Sequence, residues 1–231
     1  VTLGCLSVWP DGEPRDGPLN MALDEALLLM SSTPVLRVYG WSGPWVSFGC
    51  FGALAETQAA FPGRPLVRRG TGGGIVDHAA DWTYSLIVPR GDPLATLGTA
   101  ESYRFIHAAL ATALAAVGVT ACLADAPPPG RGDLCFQRPV LADVVDAAGR
   151  KLAGAAQRRT RFGLLHQGSV QGVGVPASLT ASLTASLTAS LASALCPSPL
   201  LLCAAPPADV LALAESLARE KYGTAAWNDR R

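Results

Sequence analysis

Between residues 67 and 78 the chain reads Val67-Arg-Arg-Gly-Thr-Gly-Gly-Gly-Ile-Val-Asp-His78, and no other stretch limits its fold so tightly. Three consecutive glycines stand between two β-rich runs. Side chains are therefore missing from one length of backbone, and a ligand can lie directly on it. Neighbouring N–H groups in such a run can form an anion-binding nest. The familiar phosphate loops are excluded: no Gly-Lys-Ser/Thr follows, and no G-x-G-x-x-G opens a helix. A glycine-rich hairpin turn is the plainer alternative. On an extended strand Arg68 and Arg69 point to opposite faces, so at most one of them lines a site formed there.

The flanking sequence supplies strands and helices in mixed order. Leu19, Ala22, Leu23, Ala26, Leu27 and Met30 recur at helical spacing and predict a helix over 20–30. Short β-rich runs follow at 35–39, 45–48 and 66–69, and 82–88 alternates with Trp82, Tyr84, Leu86 and Val88 on one face. A second helix is expected over 101–117. Beyond the stiff loop Ala126-Pro-Pro-Pro-Gly-Arg-Gly132, strands are expected at 140–145, 151–157 and 162–167, the first two joined as a hairpin at Ala148-Gly149-Arg150. A closing helix spans 207–222. The pattern predicts an α/β (α+β) domain, a mixed β-sheet flanked by helices, with 1–231 as a single catalytic domain.

Residues 178–195 stand apart, an SLTA repeat of low complexity. Its leucines, Leu179, Leu183, Leu187, Leu191 and Leu195, lie four apart. A helix turns about 100° per residue, so the stripe winds roughly 160° around a straight helix and keeps no flat docking face. The repeat reads as an insert in a loop-to-helix region; a partner-binding helix is the other reading.

A 49% hydrophobic share with 16% charged residues describes a globule, not a disordered chain, and the net charge of +0 gives no field to draw nucleic acid or membrane. The six cysteines form no C-x-x-C pair and no zinc spacing, so free thiols, a cytoplasmic location and no bound metal are expected. No signal peptide or membrane span is evident; the apolar 105–124 run carries His107 and is broken by Gly118.

Sixteen of the eighteen basic residues are arginine, which makes the two lysines informative. Lys151 opens the small-residue strand Ala153-Gly154-Ala155-Ala156, a smooth wall suited to an alkyl chain or to close backbone packing. An ammonium there can titrate or act as a compact charge where guanidinium cannot; an exposed edge lysine is the alternative. Cys135, in Asp133-Leu-Cys-Phe136, precedes the hairpin that bears Lys151. A thiolate is a good acyl acceptor and leaving group, and a nearby ammonium lowers its pKa. The other cysteines look like small core residues. His107 reads as structural, whereas His78 and His166 sit near glycine-rich turns where they can bond within the site. No G-x-S-x-G and no Ser/His/Asp order suggests a hydrolase.

Together these segments resemble the biotin/lipoate protein ligase family, in its lipoate ligase and octanoyltransferase branch. Asn20-Met-Ala-Leu-Asp-Glu-Ala26 is similar to its opening helix. Arg68-Arg-Gly-Thr-Gly-Gly-Gly-Ile-Val-Asp-His78 resembles its R-R-x-T-G-G-G-x-V-x-H loop, and Trp82-Thr-Tyr-Ser85 the strand that follows. Gly149-Arg-Lys-Leu-Ala-Gly-Ala-Ala-Gln157 resembles its lysine strand, and Leu165-His-Gln-Gly-Ser169 the partner of that strand. The resemblance implies an acyl tail beneath the glycine loop, with Arg68, Arg69, Thr71, Gly72, Gly73, Gly74, His78, Gly154, Ala155 and His166 around the substrate. It implies that Lys151 contacts the acyl carbonyl or the acyl-phosphate bridge.

Two chemistries share that scaffold. Octanoyltransferases take octanoyl from acyl carrier protein through a cysteine thioester without ATP; ligases activate lipoate with ATP and Mg²⁺. Cys135, and the lack of room for an accessory domain after the repeat, favour transfer by Cys135 and Lys151, with no cofactor. Gly72-Gly-Gly74 matches the ligases better. The pairs Pro139-Val140 and His166-Gln167 depart from the family pattern. The expected partners are acyl carrier protein and a lipoyl-domain protein, with no nucleic acid and no membrane, and the expected state is a monomer. A non-catalytic acyl-binding protein is the third reading.

Overall fold

The computed structural model describes residues 2–125, 139–171, 181–201 and 206–230, apart from the side chain of Leu201. Cys135, Cys203 and the Pro/Gly loop lie outside these residues. Strand β1 (Ser7–Arg15) leads into helix α1 (Gly17–Met30), β2 (Val35–Trp41), β3 (Val46–Phe48), α2 (Leu54–Ala60), β4 (Leu66–Arg68), β5 (Val76–Asp77) and β6 (Trp82–Pro89). Then come α3 (Pro93–Thr96), α4 (Thr99–Ala116), β7 (Cys122–Leu123), β8 (Val144–Val145), β9 (Lys151–Thr160) and β10 (Gly163–Val170). The remainder is α5 (Ala181–Leu195), β11 (Leu200–Leu201), α6 (Ala208–Leu217), a π-helical turn (Ala218–Tyr222) and α7 (Ala225–Asn228).

Two sheets result. The larger runs β11-β1-β2-β6-β10-β9-β8-β7, parallel where β1 meets β11 and β2 and antiparallel elsewhere; the smaller runs β4-β3-β5. This is the expected mixed sheet with helices on both faces. Alternation divides the strands between the faces. Trp82, Tyr84, Leu86 and Val88 of β6 and Leu164 and Val170 of β10 join Ile106, Leu110 and Leu114 of α4 in one core. On the other face Val35, Ile87 and Leu165 pack beneath Leu23, Ala26 and Leu27 of α1 and Val210 and Ala214 of α6.

Local signals explain most boundaries. Helix α1 starts three residues before the expected 20–30 because the Asp16 carboxylate accepts the Leu19 N–H at 2.8 Å and Pro18 stands in the first turn. The strand expected over 140–145 shrinks to Val144–Val145. Val140 to Asp143 form a tight turn instead, with Asp143 N–H on the Val140 carbonyl at 3.0 Å and Ala142 at φ 65°. A non-glycine residue with positive φ is uncommon and needs its surroundings to hold it. Here the Ala142 carbonyl takes the His107 Nδ1–H at 2.7 Å, and the Ala142 N–H bonds the Ala124 carbonyl at 2.9 Å.

Two expectations need correction. The SLTA stripe was expected to keep no flat docking face, yet over 181–195 it forms helix α5, and Leu187, Leu191, Ala192 and Leu195 are buried in the α4 core. The four-residue stripe drifts only about 80° across its last three leucines, and Thr188 and Ala192 fill the side toward which it turns. The cysteines are also not uniformly small core residues. Cys196 is buried, Cys50 is half-buried, and Cys5 and Cys122 are exposed; all four are free thiols. Among the described residues no helix is long and apolar enough to cross a membrane.

Candidate active site

The α1 face of the large sheet has two halves. Val35, Ile87 and Leu165 lie under the helices, but farther along the same strands come Tyr39 and Trp41, Thr83, and Gln167 and Ser169. There the small sheet folds across instead of a helix. The cleft between the sheets is narrow, with about 30 Å³ of free space, and partly open to solvent; it is bounded by Met21, Ser47, Arg69, Gly73, Val76 and His78 on one side. Gly154, Ala155 and Ala156 of β9 form the opposite wall.

The β9 wall carries the amine. Lys151 and Ala153 pair with consecutive residues of β8, so β9 has a bulge at its start, and a bulge re-aims the side chain beside it. Gly154 pairs directly with Ser169 and so shares the cleft face. A side chain at Gly154 would collide with Lys151 Cε and Nζ, because the amine occupies that space. Lys151 Nζ lies 2.7 Å from Asp143 Oδ2, both side chains almost fully buried. The Asp143 carboxylate also takes the Tyr103 hydroxyl at 2.5 Å and the Val140 N–H at 2.7 Å. The Tyr103 oxygen in turn accepts the Ala155 N–H at 3.1 Å, tying the carboxylate to the wall. Burial and the charge of Asp143 push the Tyr103 phenol well above its usual range, which keeps it a neutral donor to Asp143.

The glycine rim is held from below. Thr71 Oγ1 donates to Gln167 Oε1 at 2.6 Å, and Gln167 Nε2 donates to Asp24 Oδ2 at 2.7 Å. Asp24 is fully buried on α1 and also takes Arg37 Nη1 at 2.9 Å and Ser85 Oγ at 2.5 Å. Arg37, itself fully buried, meets Asp11 at 2.8 Å and Asn20 Oδ1 at 2.6 Å. Buried charges persist only when paired and fully bonded, as these are. Gly73 has φ 83°, favourable for glycine alone, and comes up against the Ala156 methyl.

The expected site residues separate into groups. Arg69, Gly73, His78, Gly154 and Ala155 line the cleft; Thr71, Gly72, Gly74 and Lys151 lie one bond or contact behind a lining residue. Two do not belong there. Arg68 points the other way, as strand alternation requires, and donates to the carbonyls of Cys50, Gly52, Asn228 and Arg230. His166 lies on the α4 face of β10, fully buried, between Tyr84 Oη and Gln157 Nε2 at 3.1 Å each. Its strand neighbours Gln167 and Ser169 face the cleft instead. Cys135 lies outside the described residues. Sequence reading passed over Ser47, Asp81, Asp143, Tyr103 and Gln167. Asp143 is presented by a turn where a strand was expected, and the others come together only through sheet register and helix packing.

Residues 16–185 match the family model described as the lipoyl protein ligase A/B catalytic domain. Among curated proteins the chain is similar to the octanoyltransferase LipM of Symbiobacterium thermophilum, 36% identical over 171 residues covering 68% of this chain and 61% of that one. It is similar too to the octanoyltransferase LipM of Staphylococcus aureus, 35% identical over 172 residues, 68% of this chain and 62% of that one. The chain thus spans about three fifths of the length of these relatives. Among solved structures it shares its fold with a bipartite lipoate protein ligase from Thermoplasma acidophilum (TM-score 0.73, 20% identity, 100% of this chain and 99% of that one). It shares it also with a lipoate-protein ligase A bound with ATP (TM-score 0.70, 20% identity, 98% of each chain).

Proposed function

Because the chain belongs to the lipoyl protein ligase A/B catalytic-domain family, we propose that it moves an octanoyl or lipoyl group from acyl carrier protein, through a thioester on Cys135, to a lysine of a lipoyl-domain protein. The observation that carries this reading is the Lys151 ammonium, fixed by Asp143 against side-chain-free Gly154 on the wall of the cleft. The smooth Gly154–Ala156 wall and the Gly73 rim accept an alkyl tail. The reading gains support from relatives called octanoyltransferases. The reaction needs no bound metal or nucleotide.

In the first step the Cys135 thiolate attacks the carrier thioester; its sulfur–carbon bond forms and the carrier thiolate leaves. In the second, the neutral ε-amine of the acceptor lysine attacks the same carbonyl carbon, the carbon–nitrogen bond forms, and the Cys135 thiolate departs as the amine loses its extra proton. Both steps pass through an oxyanion. Lys151 supplies fixed positive charge beside it and the glycine run supplies N–H groups, held in place before reaction so that no reorganisation is needed.

Intact mass after incubation with octanoyl carrier protein tests this, with and without ATP. The expected result is one octanoyl addition on Cys135 without ATP, discharged by a lipoyl domain. A Cys135→Ser chain that keeps full transfer, or lipoate-dependent pyrophosphate exchange into ATP with no thioester, would overturn it in favour of ligation.

A further inference from the structure

His78 stands between two partners of different kind. Its Nδ1 is 2.8 Å from Asp81 Oδ2, and its Nε2 is 2.6 Å from Ser47 Oγ; that same oxygen accepts Arg69 Nη1–H at 2.8 Å. A guanidinium has donors only. The Ser47 proton therefore cannot point at Arg69; in the neutral imidazole with its hydrogen toward Asp81, it goes to His78 Nε2. The ring hydrogen then sits on Nδ1 and is donated to Asp81. Every proton from Arg69 through Ser47 and His78 runs one way and ends on a carboxylate. Asp81 also takes the hydroxyls of Thr83 at 2.9 Å and Ser169 at 2.5 Å. Trp41 lies on the imidazole, ring centroids 4.0 Å apart and planes 18° from parallel, and fixes the plane of the relay.

At the other end, Arg69 Nη2 donates to the carbonyls of Gly72 at 2.9 Å and Gly74 at 2.8 Å. The guanidinium thus gathers oxygens of the glycine run to itself. Among the described residues the Gly72 and Gly73 N–H groups have no acceptor. We infer that Ser47, His78 and Asp81 are positioning residues: they fix Arg69, and Arg69 fixes the glycine run as a donor array for the acyl carbonyl. This rests on the acyl-transfer reading. The same three residue types activate serine nucleophiles elsewhere. Here Ser47 is fully buried, and one lone pair of its oxygen already accepts from the Arg69 guanidinium, which lowers its nucleophilicity and ties it to the loop.

The test compares Ser47→Ala, His78→Gln and the double variant with the unsubstituted chain. Steady-state transfer from octanoyl carrier protein to a lipoyl domain is measured, along with hydrogen exchange of the 70–76 amides. Each single variant should lower kcat by about 10- to 100-fold with KM for the carrier within about two-fold. The double variant should be no worse than the poorer single one, since both act through Arg69. Exchange at 70–76 should quicken in each while exchange in β6 and β10 is unchanged; His78→Gln carries the test by itself if Ser47→Ala does not fold. Additive losses, unchanged kcat with unchanged loop exchange, or octanoyl mass on Ser47 would overturn the relay. If the unsubstituted chain transfers nothing, the acyl-transfer reading fails separately, and loop exchange decides the relay: faster in the variants supports it, unchanged overturns it.

Discussion

Lys151 and Gly154 depend on each other. The amine fills the space a side chain at Gly154 would need, so Gly154→Ala forces either the methyl or the ammonium to move, an overpacking cost of about 1–3 kcal/mol. We expect this chain to fold and to lose most transfer activity in the octanoyl carrier assay. Lys151→Arg should fail as well, since a planar fork cannot replace a compact ammonium between Asp143 and a bare Cα; a loss of about 100-fold or more in kcat/KM is expected for Lys151→Ala, and near-normal turnover in either chain would refute the role of the amine. Lys151 was legible in the sequence because lysine is rare there. Asp143 was not, because the expected strand over 140–145 gave no reason for the turn at Ala142 that presents the carboxylate. Arg68 and Arg69 were legible only as a pair with one inward member; which one faced the cleft followed from the register of β4 against β3.

At the scale of elements, α4 and β10 enclose two imidazoles away from water. Burial holds His107 down to about 4, partly offset by its bond to the Ala142 carbonyl, and burial with the neighbouring His107 holds His166 well below its ordinary range. The unfolded chain takes up these protons near pH 6.5. Stability is therefore full above that pH and is lost as pH falls toward 4, by roughly 3 kcal/mol for His107 alone. A Tm that stays level from pH 7 to pH 4.5 would contradict this. Helix α5 offers a second check. Leu187→Ala and Leu191→Ala should each cost about 2–5 kcal/mol in chemical denaturation, and half-buried Leu183→Ala clearly less. Reading the repeat by its period alone missed the helix's role because packing required only its last three leucines to face α4.

For the whole molecule, the order of strands and helices in sequence announced a mixed sheet between helices, and the motifs announced which parts approach the cleft. Strand β1 and its parallel pairing with β2 were not legible, since Ser7–Arg15 alternates weakly and carries two prolines. Nor was the junction of two sheets, which depends on where helices stop covering the α1 face. The buried chain Arg37–Asp24–Gln167–Thr71 spans that junction. Gln167→Leu keeps the volume but strands the Asp24 carboxylate without one of its donors. We expect a loss of about 1–3 kcal/mol in stability together with weaker acyl binding by calorimetry; unchanged binding would show that the rim holds itself.

Arg68 meets its partners Asn228 and Arg230 some 160 positions later in the chain. On a translating ribosome the strand leading into the glycine rim can pair with β3 and reach the Cys50 and Gly52 carbonyls early, but it lacks the last of its acceptors until residues 228–230 have left the exit tunnel. A nascent chain halted before that point is expected to hold its glycine rim less firmly than one synthesised through residue 230.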